Sequence, residues 1–371
     1  MRVGIDGRVL LGRKTGDRTY ARGLVRGLLR LPTPPEVVVM LDRDPGEALQ
    51  GELAGAECAI RERPGGYLWT LMALPRLAAE TRVDLLHVQY MTPFAAPCPL
   101  ITTIHDISFR LHPEWFPPRH RLVMNTFIPG SVRRAHAVLT PSAATAADIR
   151  RAYGCPPSKL HVTPYAAPSE FSRPPHDDAV RDCLRRLAIT LPYMLYVGNL
   201  QPRKNVARLL RAFARARTET GFAHRLVVVG QAGWRCEDEM RELRSAEAAG
   251  HALRVGYVDD SDLPALYAAA DAFLFPTLME GFGLPVLEAM AMGTPVLASN
   301  TSSLPEVAGD AALLVDPTDE GAIATGIAAL AADGGLRARL RDAGLARAAQ
   351  FSWRRTAELT RAVYQSVLAR T

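Results

Sequence analysis

The sequence of 371 residues is long for one hydrophobic core and comfortable for two. Hydrophobic residues make up 48% of it and mean hydropathy is near zero; without an apolar run of about 18 residues, a membrane-spanning helix is excluded. The net charge of +6 suits an anionic ligand or surface without demanding either, and five scattered cysteines with no CxxC pair exclude a zinc knuckle or a disulfide framework, so a reduced, cytoplasmic setting is expected.

The opening MRVGIDGRVLL is too short and too polar for a signal peptide and reads as a first strand. Strand candidates follow at 2–6, 36–41, 57–61, 83–88, 99–104, 136–140 and 160–163, with helical segments at 17–30, 69–80, 118–134 and 142–153. Such alternation is the signature of a parallel α/β sheet. In 18–30, apolar Ala21, Leu24, Val25 and Leu28 keep helical spacing while Arg18, Arg22, Arg26 and Arg30 recur every four residues. This basic face is either solvated or a peripheral contact for anionic lipid or a phosphorylated acceptor. Asp42-Arg43-Asp44 has the DxD form of a metal-bound sugar-nucleotide site, but Pro45-Gly46 follows and a surface turn is expected.

Pro164, Pro168, Pro174, Pro175 and Pro192, with a charged stretch among them, mark a linker region. The expected division is therefore 1–168, a linker over 169–192, a second domain over 193–351 and a terminal helix over 352–371 packing back on the first domain. Strand candidates of the second domain lie at 193–198, 225–230, 252–258, 272–276, 295–299 and 311–315. The fold class expected is α/β, two Rossmann-like parallel-sheet domains facing a central cleft, where ligands are favoured.

Two stretches carry chemistry. YVGNLQPRKNVARLLRAF (196–213) runs from a strand through Gly198 into a helix capped by Asn205, which sets Arg203 and Lys204 just before a helix start at the ligand edge of the sheet. Two cations at a helix amino terminus suit an anion, a diphosphate above all. The Walker spacing GxxxxGK[ST] is absent. EGFGLPVLE (280–288) places Glu280 after a buried strand, Gly281 and Gly283 where the backbone turns sharply, and Pro285 at the first helical position, so that Glu288 falls in the first turn. Without the other stretch, the favoured reading is that Glu288 merely complements the helix dipole and Glu280 is a solvated loop acid.

YVGNLQPRKN at 196–205, the run from Gly256 to Ser299 and LPEVAGDAALLVDP at 304–317, with FSW at 351–353, together resemble the retaining GT-B-fold glycosyltransferases of family 4, those of bacterial mannosyltransferases in particular. The resemblance implies that Arg203 and Lys204 neutralise the donor diphosphate, Glu288 binds the donor ribose, Glu280 stands beside the transferred sugar, and the backbone of Gly281, Phe282 and Gly283 touches sugar and phosphate. ITTIHDIS (101–108) resembles the family more weakly and implies that His105 faces the donor sugar; Asp106 either orients His105 or caps the next turn. LTPSAAT (139–145) sets Ser142 where relatives often place a serine, and a plain helix cap fits it equally. The glycine-rich acceptor loop of many relatives is here TGDRTY, which keeps Gly16 and Tyr20 but has Arg18 in place of the second glycine.

The resemblance implies transfer of a hexose from a nucleoside diphosphate sugar (GDP-mannose first, a UDP-sugar next) to a saccharide or lipid-linked acceptor, with cations in place of a metal and no other cofactor. Nucleic acid is not an expected partner, since no RNA- or DNA-reading motif accompanies the charge. Whether Glu280 acts in the chemical step or positions the sugar stays open. The competing reading is a non-catalytic nucleotide-sugar-binding partner or regulatory subunit with the same fold; intact Arg203, Lys204, Glu280 and Glu288 argue against it, and the altered TGDRTY stretch keeps it open. An epimerase is disfavoured by the EGFGLPVLE spacing, a phosphorylase by the lack of a pyridoxal-phosphate lysine motif, and an oxidoreductase by the lack of GxGxxG in either first strand-to-helix turn.

Overall fold

The computed structural model describes residues 1–12, 15–62 and 66–371, and these fall into two compact units. Unit 1 comprises Met1–Leu111, Pro118–Ala166 and Ser352–Thr371; unit 2 comprises His112–Pro117 and Ala167–Phe351.

In unit 1 the strands are β1 (Arg2–Asp6), β2 (Glu36–Leu41), β3 (Glu57–Ile60), β4 (Leu85–Gln89), β5 (Leu100–Thr103), β6 (Ala137–Thr140) and β7 (Leu160–Val162). They form one parallel sheet in the order β3-β2-β1-β4-β5-β6-β7. Strands covered on both faces read as unbroken apolar runs, and Val37 to Leu41 are all buried.

The helix Gly16–Leu29 follows β1. Thr15 caps it, its side chain accepting from the Arg18 amide. The stretch TGDRTY is thus a cap and first helical turn, not a loop, because the threonine hydroxyl satisfies an otherwise orphaned amide. The helix buries Tyr20, Leu24, Val25 and Leu28 on one side and Gly23 and Gly27 on another. A Cβ at Gly23 would stand 2.3 Å from the Trp353 ring, and one at Gly27 2.6 Å from the Trp353 carbonyl oxygen. These two glycines, one helical turn apart, form the seat of the helix Trp353–Leu368. The basic face is correspondingly narrow: Arg18, Arg22 and Arg26 are half-buried, Arg22 pairs with Glu52 at 2.7 Å, and Arg30 is exposed.

The strands of unit 2 are β8 (Tyr193–Val197), β9 (Arg225–Val229), β10 (Ala252–Gly256), β11 (Ala272–Phe275), β12 (Val296–Ser299) and β13 (Leu313–Val315). Their order, β10-β9-β8-β11-β12-β13, is all parallel and doubly wound. It reverses between β8 and β11, and a ligand crevice opens at the carboxyl ends of the two strands flanking such a reversal. The residues expected as linker belong to unit 2 and carry a helix, Asp177–Arg186. It buries Cys183 and Leu184, and Arg186 forms a two-pronged pair with Asp262 at 2.6 and 3.1 Å. The prolines flank this helix without interrupting it, so proline density marked its borders. His112–Pro117 also belongs to unit 2: the Trp234 indole donates to the Trp115 carbonyl at 3.0 Å and Arg235 to that of Phe116 at 3.2 Å. Among the described residues, no helix is long and apolar enough to cross a membrane.

The seat of the terminal helix is testable by overpacking. Gly27→Val should destabilise unit 1 by about 1–3 kcal/mol, lowering its calorimetric melting temperature by roughly 2–10 °C; an unchanged melt would contradict the packing.

Candidate functional site

In unit 2 the loops after β8, β11 and β12 are joined into one hydrogen-bonded ledge. The chain leaves β8 at Gly198 and crosses Gly230, whose φ of +144° and position, with a hypothetical Cβ 2.0 Å from the Gly198 carbonyl oxygen, admit only glycine. A short turn over Pro202–Lys204 leads to Asn205 in the left-handed region (φ +60°), and the helix Val206–Thr220 begins. Asn205 stands at the cap position but makes no side-chain cap bond. Its amide donates instead to the carbonyls of Pro276 and Pro317, both at 2.8 Å, and its oxygen accepts from Arg208 at 2.7 Å. The left-handed backbone turns the side chain away from the helix amides, so one residue ties the ends of β8, β11 and β13 together.

Arg203 and Lys204 are thereby brought against the segment after β11. The Leu278 amide donates to the Arg203 carbonyl at 2.8 Å, and the Arg203 guanidinium donates to the Met279 carbonyl at 3.1 Å. Glu280 Oε1 receives Lys204 Nζ at 2.6 Å and Arg203 Nη1 at 2.9 Å. Lys204 also lies over the Phe275 ring, 4.8 Å from its centre. On the far side, the Glu280 amide donates to Ser302 Oγ at 3.0 Å, and Ser303 Oγ donates to the carbonyls of Glu280 and Phe282, each 2.9 Å away. Gly283 has φ +106°, and a Cβ there would meet Leu304 Cδ2 at 2.5 Å. Phe282 turns its ring onto Phe351, so its side chain is buried within the unit.

Glu280 is 8% exposed. Burial alone would push its carboxyl up, but Arg203 and Lys204 outweigh burial and hold it below the ordinary glutamate value. The site therefore keeps an ionised carboxylate between two cations, a charge distribution that a competing anion can reorganise.

Glu288 is placed differently from the sequence expectation. The helix is Leu284–Ala291 with Gly283 as its cap, which leaves Glu288 in the second turn, 5% exposed, accepting from the Tyr267 hydroxyl at 3.1 Å. A dipole-complementing first-turn acid does not describe it, and Glu280, buried as well, is not a solvated loop acid. A buried carboxylate needs partners, and Tyr267 is one that no local pattern announced.

In unit 1, His105 follows β5 and is 7% exposed. The Tyr165 hydroxyl lies 2.6 Å from Nδ1, Gln89 Oε1 lies 2.6 Å from Nε2, and Asp17 Oδ1 lies 3.7 Å from Nε2. Burial lowers its pKa against the opposing pull of Asp17 and Asp106. The ring is thus neutral, with Tyr165 donating to Nδ1 and Nε2–H directed at Gln89. Tyr20, buried, packs edge-on against His105 at 5.1 Å and is hydrogen-bonded to Thr103 at 2.8 Å. That bond continues through His87 Nε2 (2.7 Å) to Nδ1 and the Tyr364 hydroxyl (2.6 Å); burial pushes His87 down to about 3. Gly16 is the first residue of its helix and Arg18 donates from Nε to the Leu10 carbonyl at 3.3 Å. Asp106 caps the next turn, accepting from the Ser108 amide at 2.8 Å and hydroxyl at 2.6 Å. Ser142 caps the helix Ala143–Tyr153. Asp44 accepts from the Gly46 amide at 2.7 Å, a surface turn, and among the described residues no cluster of three or more His, Cys, Asp or Glu is placed to hold a metal ion.

The structure thus brings Arg203, Lys204 and Glu280 together in unit 2, sets Glu288 in the second turn of the helix that follows, and groups His105, Tyr20 and Asp17 in unit 1. Sequence reading missed the ties made by Asn205, Ser302, Ser303 and Tyr267. The Ser-Ser pair before Leu304-Pro305 was a legible sign of a built turn, while Tyr267 carried none.

Two doubly wound parallel sheets, one with paired cations at its strand-order reversal, define the class of GT-B nucleotide-sugar folds. Residues 15–170 match Glycosyltransferase Family 4 and residues 186–347 match Glycosyl transferases group 1; the chain belongs to these glycosyltransferases. It is 38% identical over 257 residues to O-antigen chain mannosyltransferase B of Escherichia coli, covering 68% of this chain and 66% of that one. It is 34% identical over 242 residues to MMP alpha-(1->4)-mannosyltransferase of Mycolicibacterium hassiacum, covering 64% and 56%. The aligned part thus spans about two-thirds or less of these relatives' lengths. The fold is shared with Anabaena Alr3699/HepE, solved in complex with UDP and glucose, at a TM-score of 0.76, 20% identity, and coverage of 99% of this chain and 100% of that one.

Linkage gives the Glu280 pair a pH signature. Because its folded pKa is depressed, its stabilisation is fully present above the ordinary value of 4.5 and is lost as pH falls through the lowered folded value. The melting-temperature gap between the native protein and Glu280→Gln should be widest near neutral pH and narrow in acid; a gap that is constant across pH 3–7 would show that the pair carries no such charge.

Proposed function

We propose that this protein is a retaining hexosyltransferase. It moves a hexose, mannose ahead of glucose, from a nucleoside diphosphate donor (GDP-mannose ahead of a UDP-sugar) to an acceptor hydroxyl on a saccharide or lipid-linked saccharide, in polysaccharide or glycolipid assembly. The observation that carries this reading is the pairing of Arg203 and Lys204 with Glu280 at the carboxyl ends of β8 and β11. The names of the two mannosyltransferase relatives support mannose.

The chemistry follows from that charge arrangement. A diphosphate entering the ledge competes with Glu280 for the two cations. Arg203 and Lys204 then face the β-phosphate, where negative charge grows as the bond from the sugar's anomeric carbon to the phosphate oxygen breaks. Cations already fixed and partly desolvated stabilise that charge without reorganisation. Glu280, released from its ion pairs, is left to hydrogen-bond hydroxyls of the transferred hexose, and Glu288 takes the donor ribose. The acceptor oxygen bonds to the anomeric carbon on the face the phosphate leaves, so configuration is retained. Its proton passes to the departing phosphate oxygen, and neither a protein base nor a metal is required. A basic-face contact through residues 18–30 has little support, since only Arg30 of its four arginines is exposed.

Lys204→Ala should lower turnover by about 100- to 1,000-fold in a sugar-transfer assay on protein shown to be folded, with the product anomer matching the donor's. Near-normal turnover would remove the diphosphate assignment, and an inverted product would remove retention. In a thermal-shift series against GDP-, UDP- and ADP-sugars, the true donor at 100 times its Kd should stabilise the protein by about 2.7 kcal/mol; nucleotide binding without transfer to any acceptor would favour a non-catalytic partner.

A further inference from the structure

Glu288 is the one polar residue of its helix, Leu284–Ala291, and it is kept inside at 5% exposure. The bond that meets it there comes from another helix, Leu263–Ala269, where the fully buried Tyr267 donates to Glu288 Oε2 at 3.1 Å. A carboxylate accepts at about four lone-pair sites, so this bond settles its rotation without exhausting its capacity to accept.

The Tyr267 hydroxyl is itself fixed from several sides. Thr294 Oγ1 donates to the Tyr267 carbonyl at 2.7 Å, while the Thr294 amide donates at 2.9 Å to the carbonyl of Ala289, next to Glu288. The two helices are therefore joined twice, once through the Tyr267 side chain and once through Thr294. The Tyr267 ring packs edge-on against Phe273 of β11 at 5.2 Å and against Phe171 at 5.6 Å. Below it, Tyr193 donates to the Leu266 carbonyl at 2.7 Å, and Arg186 holds Asp262 at the start of the same helix. Burial, with the Glu288 charge beside it, holds the Tyr267 hydroxyl well above the ordinary tyrosine value, so it stays a donor.

Packing alone does not account for this pair. Two apolar side chains of the same shape would fill the space at little cost or with a gain, because a buried acid must be desolvated and a buried hydroxyl must be paired. An acid inside an otherwise apolar helix points to a task for the acid, and a hydroxyl this firmly held points to a task for the hydroxyl. We infer that Tyr267 is the positioning residue of Glu288, fixing its carboxylate in the rotation that accepts from the vicinal 2′- and 3′-hydroxyls of a nucleotide ribose. The inference rests on the ribose assignment of Glu288 proposed above and adds to it the group that aims the carboxylate.

Calorimetric binding of GDP, 2′-deoxy-GDP and 3′-deoxy-GDP by the full chain, with the matching uridine nucleotides in parallel, separates aiming from packing. The native protein should bind at least one deoxy nucleotide about 10- to 100-fold more weakly than its parent, the value of a hydrogen bond to a charged group. Tyr267→Phe should shrink that penalty to about threefold or less, and Glu288→Ala should abolish it. Tyr193→Phe removes a comparable buried hydroxyl bond from the same helix; it should lower the melting temperature as Tyr267→Phe does and keep the full penalty. A full penalty in Tyr267→Phe would overturn the inference and leave the ribose assignment standing. The absence of any penalty in the native protein, or a penalty that survives Glu288→Ala, would remove the ribose assignment and the inference with it.

Discussion

One carboxylate organises unit 2. Taking Glu280 out of water is costly, and the protein tolerates it because two cations and a run of backbone ties surround it. Each partner constrains another. Arg203 is fixed through its own carbonyl and guanidinium to residues 278 and 279, and Glu280 through its amide and carbonyl to Ser302 and Ser303. A charge cluster of this sort resists small displacements yet has an alternative partner arrangement available whenever a second anion arrives. In the proposed reaction that combination of rigidity and exchangeability serves the donor, because the same cations are in place before the leaving group develops its charge.

The position of that cluster follows from connectivity. Parallel strands covered on both faces leave their polar chemistry to the loops at the carboxyl edge, and reversal of the strand order keeps two neighbouring loops apart. Unit 1 obeys the same rule with a different filling. There the edge holds a neutral histidine, aromatic rings and a chain of hydroxyl contacts running from Tyr20 through Thr103 and His87 to Tyr364. One sheet presents charge; the other presents shape and neutral donors.

Strands were legible almost residue by residue, since apolar runs such as Val37 to Leu41 and Leu226 to Val229 can only be buried strands between helices. The sequence also signalled Arg203, Lys204 and Glu280 as neighbours through the strand-loop-helix pattern on either side. What it could not show were bonds that depend on distant chain. Asn205 reads as a cap until Pro276 and Pro317 compete for its amide. Glu288 reads as a first-turn acid until the helix is seen to start at Leu284 and Tyr267 to lie beneath it. The proline-dense stretch reads as linker, because the contact that ties its helix down, Arg186 with Asp262, reaches across the first three strands of the second sheet in sequence. Local pattern fixes elements; long-range partners decide what their ends do.

The seat formed by Gly23 and Gly27 has a consequence for synthesis. The helix that fills it emerges from the ribosome only after all of Ala167–Phe351 has been made, an interval of roughly ten to forty seconds at ordinary elongation rates. During that time the first sheet exists without its closing helix, His87 lacks its Tyr364 partner, and a groove shaped for Trp353 stands open to water. Unit 2 is contiguous apart from six residues and can mature without waiting. The half of the molecule that begins first is therefore the half that finishes last, and its nascent groove is where a chaperone would find the chain.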